Sequence, residues 1–302
     1  MRRTIKGMLD KRMTVDDIVA ELSDGMTIGF GGWATRRKPM ALVRAIARSN
    51  LKDLTVVAGF GGPEIGILAA SGKIKKLVFA FCTLDHIPLD PHFRATRQAG
   101  AYEVFELDEG MFHWGLRAAA MKLPFLPSRA GVGTDIIRQS AFEFKTVKSP
   151  YEDGEELVAM PAIKVDVALI HAHRSDERGN ILTLSDDPLF DELLVRASER
   201  TYVSVEKLVS TAELDMRNNG RFNLVDRCFI TGVAEVPHGA HPTSANPDYQ
   251  LDLKHIKTYV DSAASPEAWA EYRAKFVDVD HATYVANVGG AEAINALPKP
   301  VY

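Results

Sequence analysis

Cysteine is nearly missing from this chain: Cys82 and Cys228 are the only two among 302 residues. Each lies inside an apolar run, LVFAFC and RCFITGV, so two buried thiols are expected rather than a disulfide or a metal pair. Long hydrophobic runs are missing too, and no stretch approaches the roughly 18 apolar residues of a membrane span. The opening MRRTIKGMLDKRMT is basic but has no apolar signal-peptide core, so a cytoplasmic location with no membrane partner is expected. An excess of positive charge is missing as well. Lys and Arg number 36 against 40 Asp and Glu, for a net charge of −4, which leaves no basic face on which to hold DNA or RNA.

Several chemical signatures are absent as well. There is no GxxxxGK[ST] loop, and Gly59, Gly61 and Gly62 have the wrong spacing for a GxGxxG fingerprint and run into Pro63, so neither a nucleotide triphosphate nor a nicotinamide is expected as cofactor. No GxSxG elbow is present, which disfavours a serine esterase of the α/β-hydrolase type. His171 and His173 stand two apart, and His238 and His241 flank Gly239 and Ala240, yet neither pair has third and fourth ligands at short spacing, so no metal site is expected.

What is present is ordinary globular material, 46% hydrophobic and 25% charged, long enough for one large α/β domain or two small ones. Helix and strand signals alternate. Thr14–Leu22 has the cap, acidic first turn and apolar spacing of a helix. Met26–Phe30, Leu54–Ala58 and Leu77–Cys82 read as strands, with a helix at Met40–Arg48 between the first two. Later come a strand at Val165–His171, a helix at Asp187–Ser198, a strand at Thr201–Val205 and another around Cys228–Gly232. Strands separated by helices of this length imply an α/β fold with a largely parallel sheet covered on both faces. This body ends near residue 241. From residue 242 to 302 the pattern turns to helix and irregular segments, expected as an arm packed on the body or on a partner.

The densest chemistry lies between Ala101 and Asp135. Tyr102–Leu107 alternates apolar and acidic residues like a strand. Asp108 can cap a helix, and Glu109–Lys122 reads as that helix, mostly buried. The turn between strand and helix brings Glu106 and Glu109 to the carboxyl end of a strand, where either could serve as base or nucleophile. Phe105, Phe112 and Trp114 beside them suit a bulky acyl group or plain core packing.

Two glycine turns, GFGGW at Gly29–Trp33 and GFGGPEIG at Gly59–Gly66, each come after an apolar strand. Their amides, at Gly31, Gly32, Gly61 and Gly62, either face a phosphate or oxyanion or merely allow tight turns. Arg36, Arg37 and Lys38 lie just beyond the first turn, as a phosphate clamp or as a solvated face. Ser128 and Arg129, in LPSRAGVGTD, and Asn180, in the polar turn Asp176–Asn180, are candidate substrate contacts with an equally plain role in turns.

GGWATRRKPMALVRAI, LKDLTVV, GLRAAAMKLPFLPSRAGVGTD and VAMPAIKVDVALIHAHRSDERGN together resemble the α subunit of a family I coenzyme A transferase of the glutaconate type, over nearly the whole chain up to about His241. The resemblance implies a three-layer α/β/α sandwich, a β subunit of related fold, often as α2β2, and an acyl-CoA substrate with no separate cofactor. In such transferases the glutamate that forms the thioester lies on the β chain. Within the family, GGWATRRKPM together with LDEGMFHWGLRAAA resembles the branch that hydrolytically opens a steroid-derived ring in bacterial cholesterol and bile-acid breakdown. That branch implies a glutamate of the α subunit activating water, which maps to Glu109 with Glu106 close behind. The candidate substrate or CoA contacts are Gly31, Gly32, Trp33, Arg36, Arg37, Gly61, Gly62, Ser128, Arg129 and Asn180.

Overall fold

The hydroxyl of Thr14 accepts from the amide of Asp17, and the Asp17 carboxylate accepts from the amide of Thr14. This reciprocal cap starts the first helix, α1 (Val15–Ala20). The computed structural model describes residues 10–138, 143–151, 153–185 and 189–298. Its strands are β1 (Thr27–Phe30), β2 (Leu54–Val57), β3 (Phe60–Gly61), β4 (Ile74–Phe79), β5 (Phe81–Cys82), β6 (Glu103–Glu106), β7 (Phe125–Ser128), β8 (Thr146–Lys148), β9 (Glu156–Pro161), β10 (Val165–Ser175), β11 (Ile181–Leu182), β12 (Ser198–Leu208) and β13 (Gly232–Glu235). The further helices are α2 (Met40–Arg48), α3 (Pro63–Ala70), α4 (Pro91–Gln98), α5 (Glu109–Ala120), α6 (Asp191–Ala197), α7 (Met216–Asn219), α8 (Leu253–Asp261), α9 (Pro266–Phe276), α10 (His281–Asn287) and α11 (Gly290–Asn295).

The central sheet runs β13-β12-β10-β1-β2-β4-β6, every neighbouring pair parallel, with only the short β11 added antiparallel to β10. Side chains alternate between two apolar layers. Ile28, Phe30, Leu77, Phe79, Val167, Leu169 and Tyr202 enter one core, whereas Val78, Ala168, Ile170, Ala172, Val203 and Val205 enter the other. This period-2 division of apolar strands is what a parallel sheet with covered faces requires. The first layer receives Ile18, Ile46, Ile65 and Phe93 from α1 to α4, and the second receives Met111, Phe112, Leu116, Leu194 and Val195 from α5 and α6. The α/β fold expected from the alternating pattern is thus present, with helices on both faces.

Beyond residue 241 the chain supplies Ile256, Tyr259, Tyr272, Phe276 and Tyr284 to the first core. Buried Arg44 of α2 lies 3.5 Å from the Tyr284 ring centroid and donates to the His241 carbonyl at 2.9 Å. The C-terminal helices therefore complete a helical layer of the body.

Three local expectations are corrected. Cys82 is buried but Cys228 is exposed, because Arg227–Phe229 is a 3₁₀ turn and the strand expected at Cys228 starts only at Gly232. The segment expected as Leu77–Cys82 begins at Ile74 and breaks after Phe79 into the separate β5. Of the helix expected over Asp187–Ser198, Asp187 and Pro188 lie outside the described residues, Leu189 and Phe190 form a turn, Asp191–Ala197 is α6, and Ser198 already opens β12. A three-stranded antiparallel sheet, β7-β9-β8, is a feature the alternation did not announce.

Candidate functional site

Because the long strands run parallel, their carboxyl ends share one sheet edge, the place where open α/β folds hold ligands. The first glycine turn leaves β1, the second leaves β2 and the acidic turn leaves β6, and one aromatic ring joins them. Phe60 stacks on Trp33 at 4.0 Å between centroids and lies 5.6 Å from Phe112, 5.2 Å from His113 and 4.9 Å from Phe190. The amide of Ala34 donates to the Phe60 carbonyl at 3.0 Å. A side chain at Gly62 would overlap the carbonyl of that same Ala34, so the two turns touch only because residue 62 is glycine.

Two buried ion pairs brace the turns. Lys38 and Glu64, both fully buried, lie 2.6 Å apart; the Lys38 ammonium also donates to the Phe60 carbonyl at 2.8 Å, and Glu64 accepts from the Gly62 amide at 3.0 Å. Arg37 pairs with Asp191 at 2.6 Å and donates to the His171 carbonyl at 2.8 Å, while Asp191 accepts from the Gly32 amide at 2.9 Å. Low dielectric strengthens both pairs and makes breaking either one costly. The turns are therefore rigid, and their amides are largely committed: Gly31 donates to the Leu169 carbonyl at 2.9 Å, Gly32 to Asp191 and Gly62 to Glu64. Gly61 lies in the short pairing of β3 with β5. Of the three consecutive cations, only Arg36 reaches the surface. Arg37 and Lys38 spend their charge inside the fold, so neither forms the phosphate clamp or solvated face expected of them.

In the acidic turn, Asp108 caps α5, its carboxylate accepting from the Met111 amide at 2.6 Å. Glu106 ends the edge strand β6 and pairs with Arg97 of α4 at 2.5 Å, with 42% of its side chain exposed. Glu109 is exposed at the first residue of α5. Neither carboxylate is held in the dry position expected between sheet and helix. One turn above Glu109 stands His113, half-buried against Phe60 and Phe190. Burial pulls its pKa below the ordinary 6.5, Glu109 pulling it back up and Arg117 pushing it further down.

On the next stripe of α5, Gly110 and Trp114 line an open, mostly apolar groove of about 640 Å³ that includes Phe125, Ser128, Arg129 and Tyr151. The Ser128 hydroxyl accepts from the Ala130 amide at 3.1 Å, and Arg129 makes a two-pronged contact with Glu155 at 2.6 and 2.7 Å. Asn180 is engaged in its own turn. Its amide and side chain both donate to Asp176, which also accepts from the Thr211 hydroxyl.

The paired histidines are hydrogen-bonded within the chain. His171 bridges the Ser204 hydroxyl and Glu206, each at 2.8 Å. Burial works to raise Glu206, but contacts from His171, Tyr249 and the His238 amide outweigh it and hold the carboxyl at about 2. His173 contacts the Asn246 carbonyl at 2.7 Å and accepts from the Leu184 amide at 3.0 Å. His238 meets Asn295, and His241 meets Tyr284 and Asp252. Among the described residues no group of three or more His, Cys, Asp or Glu is placed to hold a metal ion.

Sequence reasoning passed over His113, Glu64 and Asp191. The stripe Glu109–His113 was readable from helical spacing, whereas the burial of Glu64 and the approach of Asp191 from some 160 positions away had no local signal.

Comparison with known proteins identifies the family. The family described as Coenzyme A transferase matches residues 12–219, more than half of the chain. The chain belongs to the coenzyme A transferase family. It is 46% identical over 284 residues to a Rhodococcus jostii (strain RHA1) protein named cholesterol ring-cleaving hydrolase IpdA subunit, covering 92% of this chain and 96% of that one. Among solved structures, glutaconate coenzyme A-transferase from Acidaminococcus fermentans matches with a TM-score of 0.89 at 27% identity, covering 96% of each chain. A variant of the decarboxylase AibA/AibB matches with a TM-score of 0.78 at 28% identity, covering 87% of this chain and 97% of that one. The Rhodococcus jostii relative and the Acidaminococcus fermentans transferase chain are each named as a subunit of an enzyme. Among the described residues no helix is long and apolar enough to cross a membrane.

Proposed function

We propose that this chain is the α subunit of a two-chain cytoplasmic enzyme, an α2β2 complex, that hydrolytically opens a carbon ring of a steroid-derived CoA thioester. No cofactor is needed beyond the CoA carried by the substrate. The reading is carried by the likeness of nearly the whole chain to a subunit named as a cholesterol ring-cleaving hydrolase. An unshielded carboxylate, Glu109, at the catalytic edge of the sheet supports it.

A ring ketone placed β to the thioester can be cleaved by water in two steps. Glu109 takes a proton from water as the oxygen adds to the ketone, and the tetrahedral adduct then expels the α-carbon, whose electron pair spreads into the thioester carbonyl. Glu109 is favoured over Glu106, which is engaged by Arg97. Substrate or the β subunit covering Glu109 would dry it and raise its basicity. Gly31, Gly32, Trp33, Gly61 and Gly62 wall the site, Arg36 meets CoA phosphates or a substrate carboxylate, and Arg37 acts indirectly by holding Asp191. Ser128 and Arg129 border the acyl side, and Asn180 shapes a flanking loop.

Transfer of CoA between carboxylic acids, with the nucleophilic glutamate on the β subunit, is the second reading, favoured by the fold likeness to glutaconate CoA-transferase. The two separate when the complex is incubated with a ring-containing steroid-derived CoA thioester in oxygen-18 water. One heavy oxygen in a new carboxylate with the thioester intact supports hydrolytic opening. CoA exchange onto acetate or a diacid without ring opening supports transfer. For the role of Glu109, the Glu109→Gln complex is expected to lose about 10²–10⁴ in kcat while remaining assembled. Full activity in both Glu109→Gln and Glu106→Gln would refute the assignment.

A further inference from the structure

Water adding to a ketone places negative charge on the former carbonyl oxygen, and a site that accelerates this step needs a hydrogen-bond donor aimed at that charge. The glycine turns are the obvious source. Yet the amides of Gly31, Gly32 and Gly62 already donate to Leu169, Asp191 and Glu64. Both acceptor carboxylates are buried and braced by Arg37 and Lys38, so these amides are not released without dismantling the turns.

A donor remains on α5. Residues 109 and 113 are one helical turn apart and share a stripe of the helix surface. The His113 ring lies 5.2 Å from Phe60 and 6.4 Å from Phe190, centroid to centroid, beside the ring that joins both glycine turns. Among the described residues no hydrogen bond engages either ring nitrogen of His113, although the side chain is half-buried. Burial lowers its pKa below the ordinary 6.5, with Glu109 pulling it up and Arg117 pushing it down, a direction that favours the neutral ring. A neutral imidazole still carries one N–H to donate.

We propose that His113 donates the hydrogen bond that stabilises the oxyanion formed when water activated by Glu109 adds to the substrate ketone. The inference rests on the ring-opening reading given above. In the first step the water O–H bond breaks, its proton passes to Glu109, the new C–O bond forms and the carbonyl π pair moves onto oxygen, where the N–H of His113 meets it. In the second step that oxygen re-forms the carbonyl, the C–C bond breaks with its pair going to the α-carbon of the thioester, and Glu109 returns its proton there. His113 keeps its proton throughout, and the sum is addition of one water across the C–C bond.

The test compares His113→Phe, which keeps a ring but has no donor, with His113→Gln, which keeps a donor, both in the assembled two-chain enzyme. His113→Phe is expected to lose about 10²–10³ in kcat with KM within about twofold and an unchanged melting temperature. His113→Gln should recover at least about tenfold over the Phe variant, a rescue that a purely structural role would not show. A His113→Phe enzyme within about threefold of wild-type kcat, alongside an inactive Glu109→Gln enzyme, would overturn this inference and leave the role of Glu109 standing. If Glu109→Gln keeps full rate, or the enzyme opens no ring, the reading beneath it fails and the inference falls with it. NMR titration of the His113 ring in the unliganded complex gives a separate check: a midpoint below 6.5 is expected, and one above about 7 would exclude a neutral donor.

Discussion

Replacing Glu64 with glutamine tests whether the glycine turns are braced as the structure implies. Lys38 and Glu64 are both fully buried and 2.6 Å apart, with Lys38 also bonded to the Phe60 carbonyl and Glu64 to the Gly62 amide. The Oε1–Nζ contact lacks hydrogen-bond alignment, so its strength is mainly ionic. Glu64→Gln keeps the shape and the bond to Gly62 but leaves the ammonium without its counter-charge in a low-dielectric interior. Breaking a buried pair on one side costs about 3–5 kcal/mol. For 302 residues the unfolding entropy is about 0.6 kcal/mol per kelvin, so the melting temperature of the assembled enzyme should fall by about 5–8 °C. The double variant Lys38→Met/Glu64→Gln removes both charges and should recover most of that loss, because the penalty lies in the unpaired charge. Scanning calorimetry of wild type, both single variants and the double variant supplies the cycle. A Glu64→Gln loss below about 1 kcal/mol, or a double variant no more stable than the single, would refute the reasoning.

Acid should weaken the fold through its buried histidines. His92, His173 and His281 are held at about 4 and His255 at about 3, in each case chiefly by burial. Their folded values lie below the unfolded 6.5, so the stability they contribute is present above about 6.5 and is lost as pH falls towards 4. Asp90 has the opposite sign: burial raises it to about 7, so its contribution is present below 3.8 and lost as pH rises through 7, offsetting only part of the histidine effect. Melting curves from pH 7.5 to 5 should therefore show a falling transition temperature, and a flat profile would contradict the histidine assignments. A glycine pair tests the packing of the turns. Gly62→Ala forces a methyl group onto the Ala34 carbonyl and should cost several kcal/mol or prevent folding, whereas Gly220→Ala, in open space with ordinary backbone angles, should change stability by no more than about 1 kcal/mol. Urea midpoints compare the two directly.

Much of the frame is readable along the chain. The capping residues Thr14 and Asp108 are where helical spacing places them, and the apolar runs at Leu54, Val165 and Thr201 become parallel strands because only a sheet covered on both faces can bury such runs. Cys228 departs from expectation because apolar neighbours do not reveal whether a short segment joins a ladder, and here the ladder starts at Gly232. The strands β7 to β9 carry no clear local signal: β7 finds its partner β9 some 30 positions further along the chain, and the faces of all three strands, β8 included, are half exposed.

The α/β alternation, the acidic turn at the end of β6 and the family are all legible along the chain, because each is written in local periodicity or in long ordered blocks of residues. Which of these groups are available for chemistry depends on packing. Arg37 and Lys38 are indistinguishable from Arg36 as neighbouring cations, yet two of the three are buried against Asp191 and Glu64. The glycine amides that a linear reading offers to an oxyanion are taken by the same two carboxylates. Burial and hydrogen-bond pairing depend on residues that meet only when the sheet is assembled, so availability is a property of the packed chain and not of any motif within it.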